Sequence, residues 1–427
     1  MKFVLAFTGS RGDVQPGVAL GVELRSRGHA VTMAVPPNLV EFCRRTTIPT
    51  ESLGADTKEL LDSQVVSRGR KSANPLERLR ALAELTIHNG RRTQSELLDL
   101  TEGADAVIGG SVGQERLSNV ALARGIPYVP VHYCPLRRNS IASLLPVDRA
   151  PGAAHHLSWA ALEHLSWLAT RTAERELAAD LGLLPPSSPP ARRISATGVP
   201  EIQAYDPLLF PGLAQQWGSA RPLVGFLEPT PATRAQLGDD ADTTALDTWL
   251  DAGPAPLYVG FGSMSIAEPQ RLAATLTEVA AALGLRLLVA AGWSEFMAGT
   301  TGADVRVVRT VDHATVLPRC VAAVHHGGAG TTAAALRAAI PALACTIGAD
   351  QPLWGRRLRA LGVGTALPAA RVDHESLTRA LRSLLSPECR TAAQELGEQL
   401  IAPESAVRSA ATLVEAAVRP AVREGIR

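Results

Sequence analysis

The sequence contains only five cysteines, spread along the chain at Cys43, Cys134, Cys320, Cys345 and Cys389. None belongs to a CxxC pair or a Cys/His cluster, the spacings that hold structural zinc. An odd and scattered set also argues against the disulfide framework of small secreted proteins. We therefore expect reduced thiols and a cytoplasmic protein.

The chain also lacks an excess of either charge and any long apolar run. Its 42 basic and 41 acidic residues give a net charge of +1, which excludes a broad basic field that would attract nucleic acid. No stretch reaches the roughly 18 apolar residues that span a bilayer. The apolar start of the chain is too short for a signal peptide. Peripheral contact with the inner face of the membrane, through a local patch, stays open.

Strands and helices alternate along the first half. Lys2–Phe7 is predicted as an apolar strand, a helical pattern begins near Pro16, and Ala30–Val35 is predicted as a second strand. Strand, helix and strand in this order form a βαβ unit, which implies a parallel sheet. The pattern continues with two more strands and the helix between them, at Ala106–Gly109, Tyr128–His132 and Leu117–Arg124.

The second half repeats this alternation. A Pro- and Ser-rich loop occupies residues 182–190, and the polar segment Glu228–Asp242 is interpreted as the connection between two domains. Strands are predicted at Pro256–Phe261, Arg286–Ala291, Val305–Val308, Ala322–His325 and Ala342–Ile347, and helices at Arg271–Leu283, Gly330–Ala339 and Ser405–Val418. The fold class is therefore α/β, with parallel-sheet domains at 1–220 and 221–403 and a closing helix in 404–427 that packs back towards the first domain. Ligands bind at the carboxyl ends of such strands, which here would face a cleft.

The segment HHGGAGTT, from His325 to Thr332, joins a predicted strand to a predicted helix. Its glycines let a ligand approach the backbone, and the helix N-terminus offers free N–H groups and a positive dipole end to phosphate. The Lys and the GK[ST] triplet of a P-loop are missing. The segment predicts a diphosphate site without a kinase-type apparatus; the alternative is a tight turn with buried histidines.

The first strand is followed by GSRGDVQP, from Gly9 to Pro16. In one interpretation Asp13 faces the cleft and takes the proton of an acceptor hydroxyl as general base, while Ser10 and Arg11 reach phosphate oxygens. In the other, Asp13 only caps a helix that Pro16 helps to start. The segment is not the GxGxxG fingerprint, which argues against hydride transfer.

Two shorter segments follow strands of the second half. GFGSM, from Gly260 to Met264, allows a sharp turn with the Ser263 hydroxyl available for phosphate. GADQP, from Gly348 to Pro352, carries Asp350 and Gln351, whose side chains can bind sugar hydroxyls. Each segment is also consistent with a plain turn.

Together and in this order, the four segments resemble those of the family 1 nucleotide-sugar glycosyltransferases. That family has the GT-B fold, two Rossmann-like domains facing across a cleft. The resemblance covers nearly the whole chain; GSRGDVQP and GFGS are most similar to the sterol glucosyltransferase branch, and the pattern is also similar to actinobacterial enzymes that glycosylate antibiotic aglycones and glycopeptidolipids. It implies an inverting transfer of a hexose from a UDP- or dTDP-sugar to a hydroxyl of a lipid-like, sterol-like or natural-product acceptor.

The resemblance also implies residue roles. Asp13 matches the catalytic base, and the histidine that many plant relatives use in this loop is absent. His326, rather than His325, matches the diphosphate position, while Thr310 stands where plant relatives have a stacking tryptophan. The implied donor contacts are Ser10, Arg11, Gly12, Ser263, Val311, His313, His326, Gly328, Ala329, Gly330, Thr331, Asp350 and Gln351. Because helix dipole and histidine would stabilise the leaving diphosphate, no metal and no cofactor is expected.

The acceptor site is expected in loops of the first domain, near 54–75 and 136–159. The second loop carries residues that either line an apolar site or belong to a helix core: His155, His156, Leu157 and Trp159. A basic cluster either touches anionic lipid or forms a solvated helix face; its members are Arg68, Arg70, Lys71, Arg78 and Arg80.

Two other functions fit the same fold. A nucleotide-sugar epimerase or hydrolase would need no acceptor site. An inactive auxiliary subunit would stabilise a partner transferase without catalysing the reaction. The presence of both Asp13 and His326 favours an active transferase.

Overall fold

The structure, a computed structural model, describes residues 1–57, 59, 90–143, 151–238, 243–264, 266–299 and 302–418. The strands of the first domain are β1 (Lys2–Ala6), β2 (Ala30–Val35), β3 (Thr50–Ser52), β4 (Ala106–Gly109), β5 (Tyr128–His132) and β6 (Ile202–Gln203). Those of the second domain are β7 (Leu257–Gly260), β8 (Leu287–Ala290), β9 (Val305–Val308), β10 (Ala322–His325), β11 (Ala342–Thr346) and β12 (Gly364–Pro368).

Within the described ranges these strands form two six-stranded parallel sheets, ordered β3-β2-β1-β4-β5-β6 and β12-β11-β10-β7-β8-β9. The predicted α/β class is confirmed, and β2, β4, β5, β9 and β10 have the predicted bounds. Phe3, Val4 and Leu5 of β1 are fully buried. Such continuous burial is typical of parallel strands, because helices cover both faces of the sheet.

Helices flank both sheets. In the first half they are α1 (Arg11–Ser26), α2 (Val40–Arg44), α3 (90–100), α4 (Gln114–Arg124), α5 (Gly152–Ala179), α6 (Pro190–Ala196), α7 (Leu213–Trp217) and α8 (Pro231–Leu237). In the second half they are α9 (Thr243–Asp251), α10 (Pro269–Ala282), α11 (His313–Val316), α12 (Ala329–Arg337), α13 (Gln351–Ala360), α14 (His374–Leu384), α15 (Pro387–Gln399) and α16 (Pro403–Val418). None of these described helices is both long and apolar enough to cross a bilayer.

Helix α1 begins five residues before the predicted start at Pro16. Its N-cap is Ser10, and Pro16 lies inside the helix. The prediction was wrong because it assigned the helix start to proline, whereas a serine with an acidic residue three positions later is the stronger start signal. The shift matters, because it places Asp13 in the first turn of the helix.

Register brings the motif loops together. His325 of β10 is paired with Gly260 of β7 and Ala344 of β11. Since neighbouring parallel strands end at the same edge, the loops after β7, β10 and β11 leave the second sheet side by side. In the first sheet Ala6 is paired with Gly109, so the loop after β1 adjoins the loop after β4.

The segment from residue 221 to residue 237 contacts both domains. Gln203 bridges to Leu223 in parallel, and Val224, Leu227 and Leu237 pack in the core of the first domain. In the same segment Phe226 packs against Trp354, and Arg234 pairs with Asp312 of the second domain. The predicted boundary near residue 221 therefore stays a prediction. Further on, Leu246 and Leu250 of α9 join the core of the second domain.

The last helix returns to the first domain. Ala406, Ala410 and Val414 of α16 are fully buried in the same cluster as residues of α1. Glu415 accepts hydrogen bonds from Arg27 at 3.1 Å and contacts His29 at 2.8 Å. The C-terminal helix of the second half thus packs on the first half of the chain and joins the two.

Further polar contacts join the two halves. Arg357 Nε donates to the backbone oxygen of Leu209 at 2.5 Å, and Arg356 donates to that of Ser143. The backbone N–H of Ile401 donates to Asp206 at 2.8 Å. All five cysteines are buried, and none is joined in a disulfide. The basic cluster from Arg68 to Arg80 lies outside the described residues.

Candidate active site

Asp13 is held by the residue that caps its helix. Its Oδ2 accepts hydrogen bonds from the backbone N–H of Ser10 at 2.7 Å and from the Ser10 hydroxyl at 2.9 Å. The capping role considered for Asp13 is therefore present. It does not exclude a role as base, because both bonds use one oxygen of the carboxylate.

The environment of Asp13 raises its pKa to about 6. Burial is the largest cause, the hydrogen bonds from Ser10 act in the opposite direction, and the Asp350 carboxylate adds to the rise. Asp350 belongs to the loop after β11, so the carboxyl ends of the two sheets are close enough for their carboxylates to interact. A carboxyl group with such a pKa can exchange protons near neutral pH.

The backbone around Asp13 leaves it little space. Gly9 has a φ of +120°, and a Cβ on this residue would lie 2.5 Å from Asp13 Oδ2. The hydroxyl of Tyr133, just after β5, donates to the backbone oxygen of Asp13 at 2.7 Å. These contacts fix the loop from two sides.

Arg11 and Gly12 occupy the same turn. The guanidinium of Arg11 lies over the ring of Phe42, 4.8 Å from its centroid, and its Nε donates to Gln15 at 3.2 Å. Burial raises the pKa of Tyr258 in β7, and the charge of Arg11 opposes this rise, so the two side chains lie near each other. Gly12 is exposed.

The segment HHGGAGTT forms the turn from β10 into α12. Gly328 is the N-cap and has no side chain to bond the first turn, and Thr332 N–H closes that turn on the Gly328 oxygen at 3.0 Å. Nothing lies within 4 Å of a Cβ built on Gly330, so the first residues of α12 border open space. Such a helix start presents the N–H groups of Ala329, Gly330 and Thr331 to an anion.

His326 is inserted between two glycine loops. A Cβ on Gly328 would lie 2.4 Å from its Nε2, and one on Gly262 would lie 3.4 Å from its Cε1. Burial lowers the pKa of His326 to about 4. A hydrogen bond with the Gly260 backbone acts in the opposite direction, and the charge of His313 lowers the pKa further. The ring is therefore neutral at pH 7 and carries one N–H that can act as a donor.

His325 has a different place. It is fully buried as the last residue of β10, and its Nδ1 accepts from the Gly327 N–H at 3.0 Å. Gly327 has a φ of +86°, which favours glycine. The prediction that His325 ends the strand is confirmed.

Asp350 and Gln351 already have partners within the chain. Asp350 Oδ2 accepts from Trp354 Nε1 at 2.8 Å, and burial raises the pKa of the carboxyl group. Gln351 Oε1 accepts from the N–H groups of Ile347 and Gly348 at 2.7 and 3.1 Å. The carbonyl of Gln351 thus shapes the loop, and its NH₂ group is the part that could serve a sugar.

The segment before α11 is fixed through side chains. Val311 is buried, and Asp312 caps α11 while pairing with Arg234 at 3.1 Å. His313 lies 2.8 Å from the hydroxyl of Tyr258. These contacts hold the backbone from Val311 to His313, where two of the donor contacts are predicted.

Ser263 lies in the turn after β7. Gly262 has a φ of +60°, and its oxygen accepts from the Trp293 N–H at 3.1 Å. Ser263 is partly exposed at the same edge as His326. The loops after β1, β7, β10 and β11 therefore supply all the predicted donor contacts except Val311 and His313.

A cavity of about 980 Å³ lies in the first domain. Thr8 and Gly9 line it at the end of β1, so it reaches the residue that packs against Asp13. Trp159, Leu162 and Trp167 of α5 form an apolar wall. Trp159 is thus both a buried helix residue and part of the cavity, whereas His155 is buried and His156 and Leu157 are exposed.

Within the described ranges, no group of three His, Cys, Asp or Glu side chains is arranged to hold a metal ion. A metal-independent reaction stays a prediction.

Comparison with known proteins decides the family. The family model of the glycosyltransferase family 28 N-terminal domain matches residues 3–88, and that of the erythromycin biosynthesis protein CIII-like C-terminal domain matches residues 289–415. An uncharacterized glycosyltransferase of Mycobacterium tuberculosis is 39% identical over 422 residues, which cover 99% of this chain and 100% of the relative. The chain belongs to the family 1 glycosyltransferases of the GT-B fold.

Other relatives of this glycosyltransferase are more distant. A sterol 3-beta-glucosyltransferase of Arabidopsis thaliana is 29% identical over 410 residues, 94% of this chain and 63% of that protein. Among solved structures, the glycosyltransferase of kitacinnamycin has a TM-score of 0.71 at 18% identity, covering 97% and 98% of the two chains. The glycosyltransferase VinC in complex with dTDP has a TM-score of 0.67 at 18% identity, covering 98% and 100%. At these identities the structures show the shared fold.

Three side-chain contacts at the site of this glycosyltransferase were not predicted from its sequence. Tyr133 and Tyr258 hold Asp13 and His313, and Trp354 holds Asp350. Tyr133 directly follows a predicted strand, which was a usable signal. The Trp354 contact was also readable, since residues four apart on a helix are neighbours. The contact of Tyr258 with His313 depends on which strands are paired, and strand order was not predicted from the sequence.

Proposed function

We propose that this glycosyltransferase moves a hexose, with inversion, from a UDP- or dTDP-sugar to a hydroxyl of a lipid-like, sterol-like or natural-product acceptor. The observation that carries the proposal is the position of Asp13 at the end of the first sheet. Burial is the main cause of its raised pKa, and the Asp350 carboxylate of the second domain lies near enough to add to the rise. A base from one domain and a phosphate-binding helix start from the other would then flank one reacting centre.

In the proposed reaction the acceptor oxygen forms a bond to the anomeric carbon as the bond to the diphosphate breaks. The hydroxyl proton passes to Asp13, through Oδ1, the oxygen that Ser10 does not engage. Negative charge builds on the leaving diphosphate, and donors fixed before the reaction lower the barrier by stabilising it. The N–H groups at the start of α12 and the N–H of His326 are such donors.

Support for each half of the reaction comes from separate features. Gly330 leaves open space at the start of α12, which suits a phosphate. The apolar cavity that reaches Gly9 suits an acceptor. VinC, a structural neighbour, was solved with dTDP, and an Arabidopsis relative is named for a sterol acceptor. We extend both substrate classes to this chain as part of the proposal.

The test combines binding and transfer. A thermal-shift panel of UDP, dTDP and their hexose conjugates should identify the donor, because a ligand that binds the native state raises Tm by mass action. Mass spectrometry of reactions with hydroxylated acceptors then measures transfer. Asp13→Asn should lower kcat by about 10²–10⁴-fold while the nucleotide shift is retained. Asp373→Asn is the matched control, since Asp373 also bonds a serine at a helix start but is exposed and lies far along the chain.

The alternatives give other results. A hydrolase or epimerase would consume the donor equally with and without acceptor, and an auxiliary subunit would bind nucleotide without turnover. Full activity of Asp13→Asn would refute the assignment of the base.

A further inference from the structure

A group of charged residues lies in the wall of the acceptor cavity, apart from the donor loops. Glu115 and Arg116 belong to the first turn of α4, and Glu174 belongs to α5; all three line the cavity. Nη2 of Arg193, in α6, lies 3.4 Å from Oε2 of Glu174. The function proposed above uses none of these residues.

The positive charge of Arg116 is poorly compensated for a side chain that is largely buried. Its side chain is 14% exposed, and its carboxylate contact, from Nη2 to Glu115, is 3.5 Å long. Its Nη1 is buried and has no hydrogen-bond partner among the described residues. A buried guanidinium N–H without an acceptor costs free energy. Since Nη1 itself is closed to solvent, a ligand oxygen would meet the part of the guanidinium that lines the cavity.

Glu174 does not supply the missing charge. It is 1% exposed, and its pKa is raised to about 7, chiefly by burial and then by Glu115, against the effects of Arg116 and Arg193. At neutral pH its carboxyl group is therefore only partly ionised. Arg193 Nε and Asn119 Nδ2 are also buried without partners in the described chain, so the group as a whole has surplus donors.

Arginines elsewhere in the cavity wall are well paired. Arg137 and Arg221 contact Glu201 at 2.6 and 3.0 Å, and Arg138 and Arg192 contact Glu163 at 2.5 and 3.0 Å. The described lining contains five arginines, at positions 116, 137, 138, 192 and 221, and three glutamates, at 115, 163 and 174. Arg116 is therefore the arginine of the described lining whose positive charge is least well compensated by a carboxylate.

Arg116 also lies near the reacting end of the cavity. A Cβ on Gly113 would lie 3.8 Å from its Nη2 and 3.5 Å from the hydroxyl oxygen of Thr8. Thr8 precedes Gly9, which packs on Asp13. A single ligand in this cavity can thus contact the apolar wall, the guanidinium and the region of the base.

Building on the proposed function, we propose that the acceptor is an apolar hydroxy acid whose carboxylate binds Arg116. Its hydrocarbon body packs against Trp159, Leu162 and Trp167, and its hydroxyl group approaches Asp13. A carboxylate suits the site because it accepts charge-assisted, forked hydrogen bonds from a guanidinium. Arg116 is then a specificity-determining residue of the acceptor site.

Binding by calorimetry tests this with two acid–ester pairs of different shape. The probes are lithocholic acid and its methyl ester, and 12-hydroxystearic acid and its methyl ester. We expect at least one acid to bind about tenfold more tightly than its ester, as one charge-assisted bond implies. Arg116→Gln should reduce this ratio to about one, whereas Arg116→Lys should keep part of it. Arg91→Gln is the matched control, because Arg91 lies outside the cavity lining, is 62% exposed and is paired with Asp180, and it should keep the full ratio.

Several results would overturn the inference. Equal affinities of acid and ester in the wild type, no measurable binding of either acid, or an unchanged ratio in Arg116→Gln would each do so. Circular dichroism and Tm of the variants show whether they are folded, and the Arg116→Lys ratio decides the matter if Arg116→Gln does not fold. Nucleotide thermal shifts separate the two proposals: if UDP or dTDP binds and neutral acceptors are glycosylated as well as acids, only the acid preference fails. If no nucleotide binds, the transferase proposal itself fails.

Discussion

The hydroxyl of Ser10 donates a hydrogen bond to Oδ2 of Asp13, and the backbone N–H of the same serine donates to the same oxygen. These bonds favour the ionised carboxylate, whereas burial favours the neutral acid. Burial prevails and leaves the pKa of Asp13 at about 6. The serine therefore positions the carboxylate and also limits how basic it becomes.

The pH dependence of transfer should follow this balance. Since the base works in its ionised form, kcat/KM should be level above pH 7 and fall about tenfold per unit below pH 6. His326 does not titrate in this range, because its pKa is lowered to about 4. Ser10→Ala removes a bond to the charged form and should raise the apparent pKa. Ser376→Ala, which alters the equivalent cap at Asp373, should leave it unchanged. A profile without an inflection between pH 5 and 7 would contradict the assignment.

His326→Ala should lower kcat by about 10²-fold, the loss typical of removing one donor to a developing charge. His326→Gln keeps a donor and should retain more of the rate. Steady-state kinetics with saturating donor measures both variants. His325→Ala offers a contrast, because it removes the acceptor of the Gly327 N–H and should chiefly lower Tm. Equal kcat for wild type and His326→Ala would exclude the diphosphate role.

Gly9→Ala should reduce activity as well as stability. The new Cβ would lie 2.5 Å from Asp13 Oδ2 and the φ of +120° disfavours any side chain, a strain of roughly 1–3 kcal/mol. Gly28→Ala is the control: it also has positive φ, but nothing lies within 4 Å of its Cβ. Denaturant unfolding and kcat/KM of the pair separate backbone strain from displacement of the carboxylate. If the two variants lose activity equally, contact with Asp13 is not the cause.

Chelation tests the metal-independent mechanism. Transfer should be unchanged in excess EDTA, since helix N–H groups and a neutral histidine are proposed to stabilise the diphosphate. The measurement is kcat with and without EDTA, followed by addition of magnesium. Loss of activity that magnesium restores would show that a metal takes part.

Much of the fold could be predicted because most of its strands, such as β4 and β8, are short apolar runs buried on both faces. Strands such as Ala30–Val35 and Ala322–His325 have the predicted bounds, since Gly, Pro and polar residues mark their ends. The start of α1 was misplaced because Pro16 is a familiar helix-start residue, yet here Ser10 and Asp13 set the boundary. Local signals compete at helix ends, and the hydrogen bonds that decide between them are not visible in a list of residues.

The site was predicted less completely than the sheets. The sequence indicated that Asp13, His326 and Asp350 follow strands, and the parallel registers bring their loops to facing edges. It did not indicate that Gln351 would turn its carbonyl towards its own loop. Nor did it single out Arg116, because an arginine in a helix normally reaches solvent, whereas the side chain of Arg116 is only 14% exposed. Contacts between distant segments were the part that residue patterns could not supply.

Helix α16 has a consequence for engineering this scaffold. It follows the second domain in the chain but packs on α1 of the first domain. There Glu415 forms hydrogen bonds with Arg27 and His29. A hybrid could combine the first domain of one homologue with the second domain of another to change the donor sugar. Its α16 would then pack on an α1 from the other parent. A functional hybrid therefore needs its last crossover placed before Pro403, so that α16 comes from the same parent as α1.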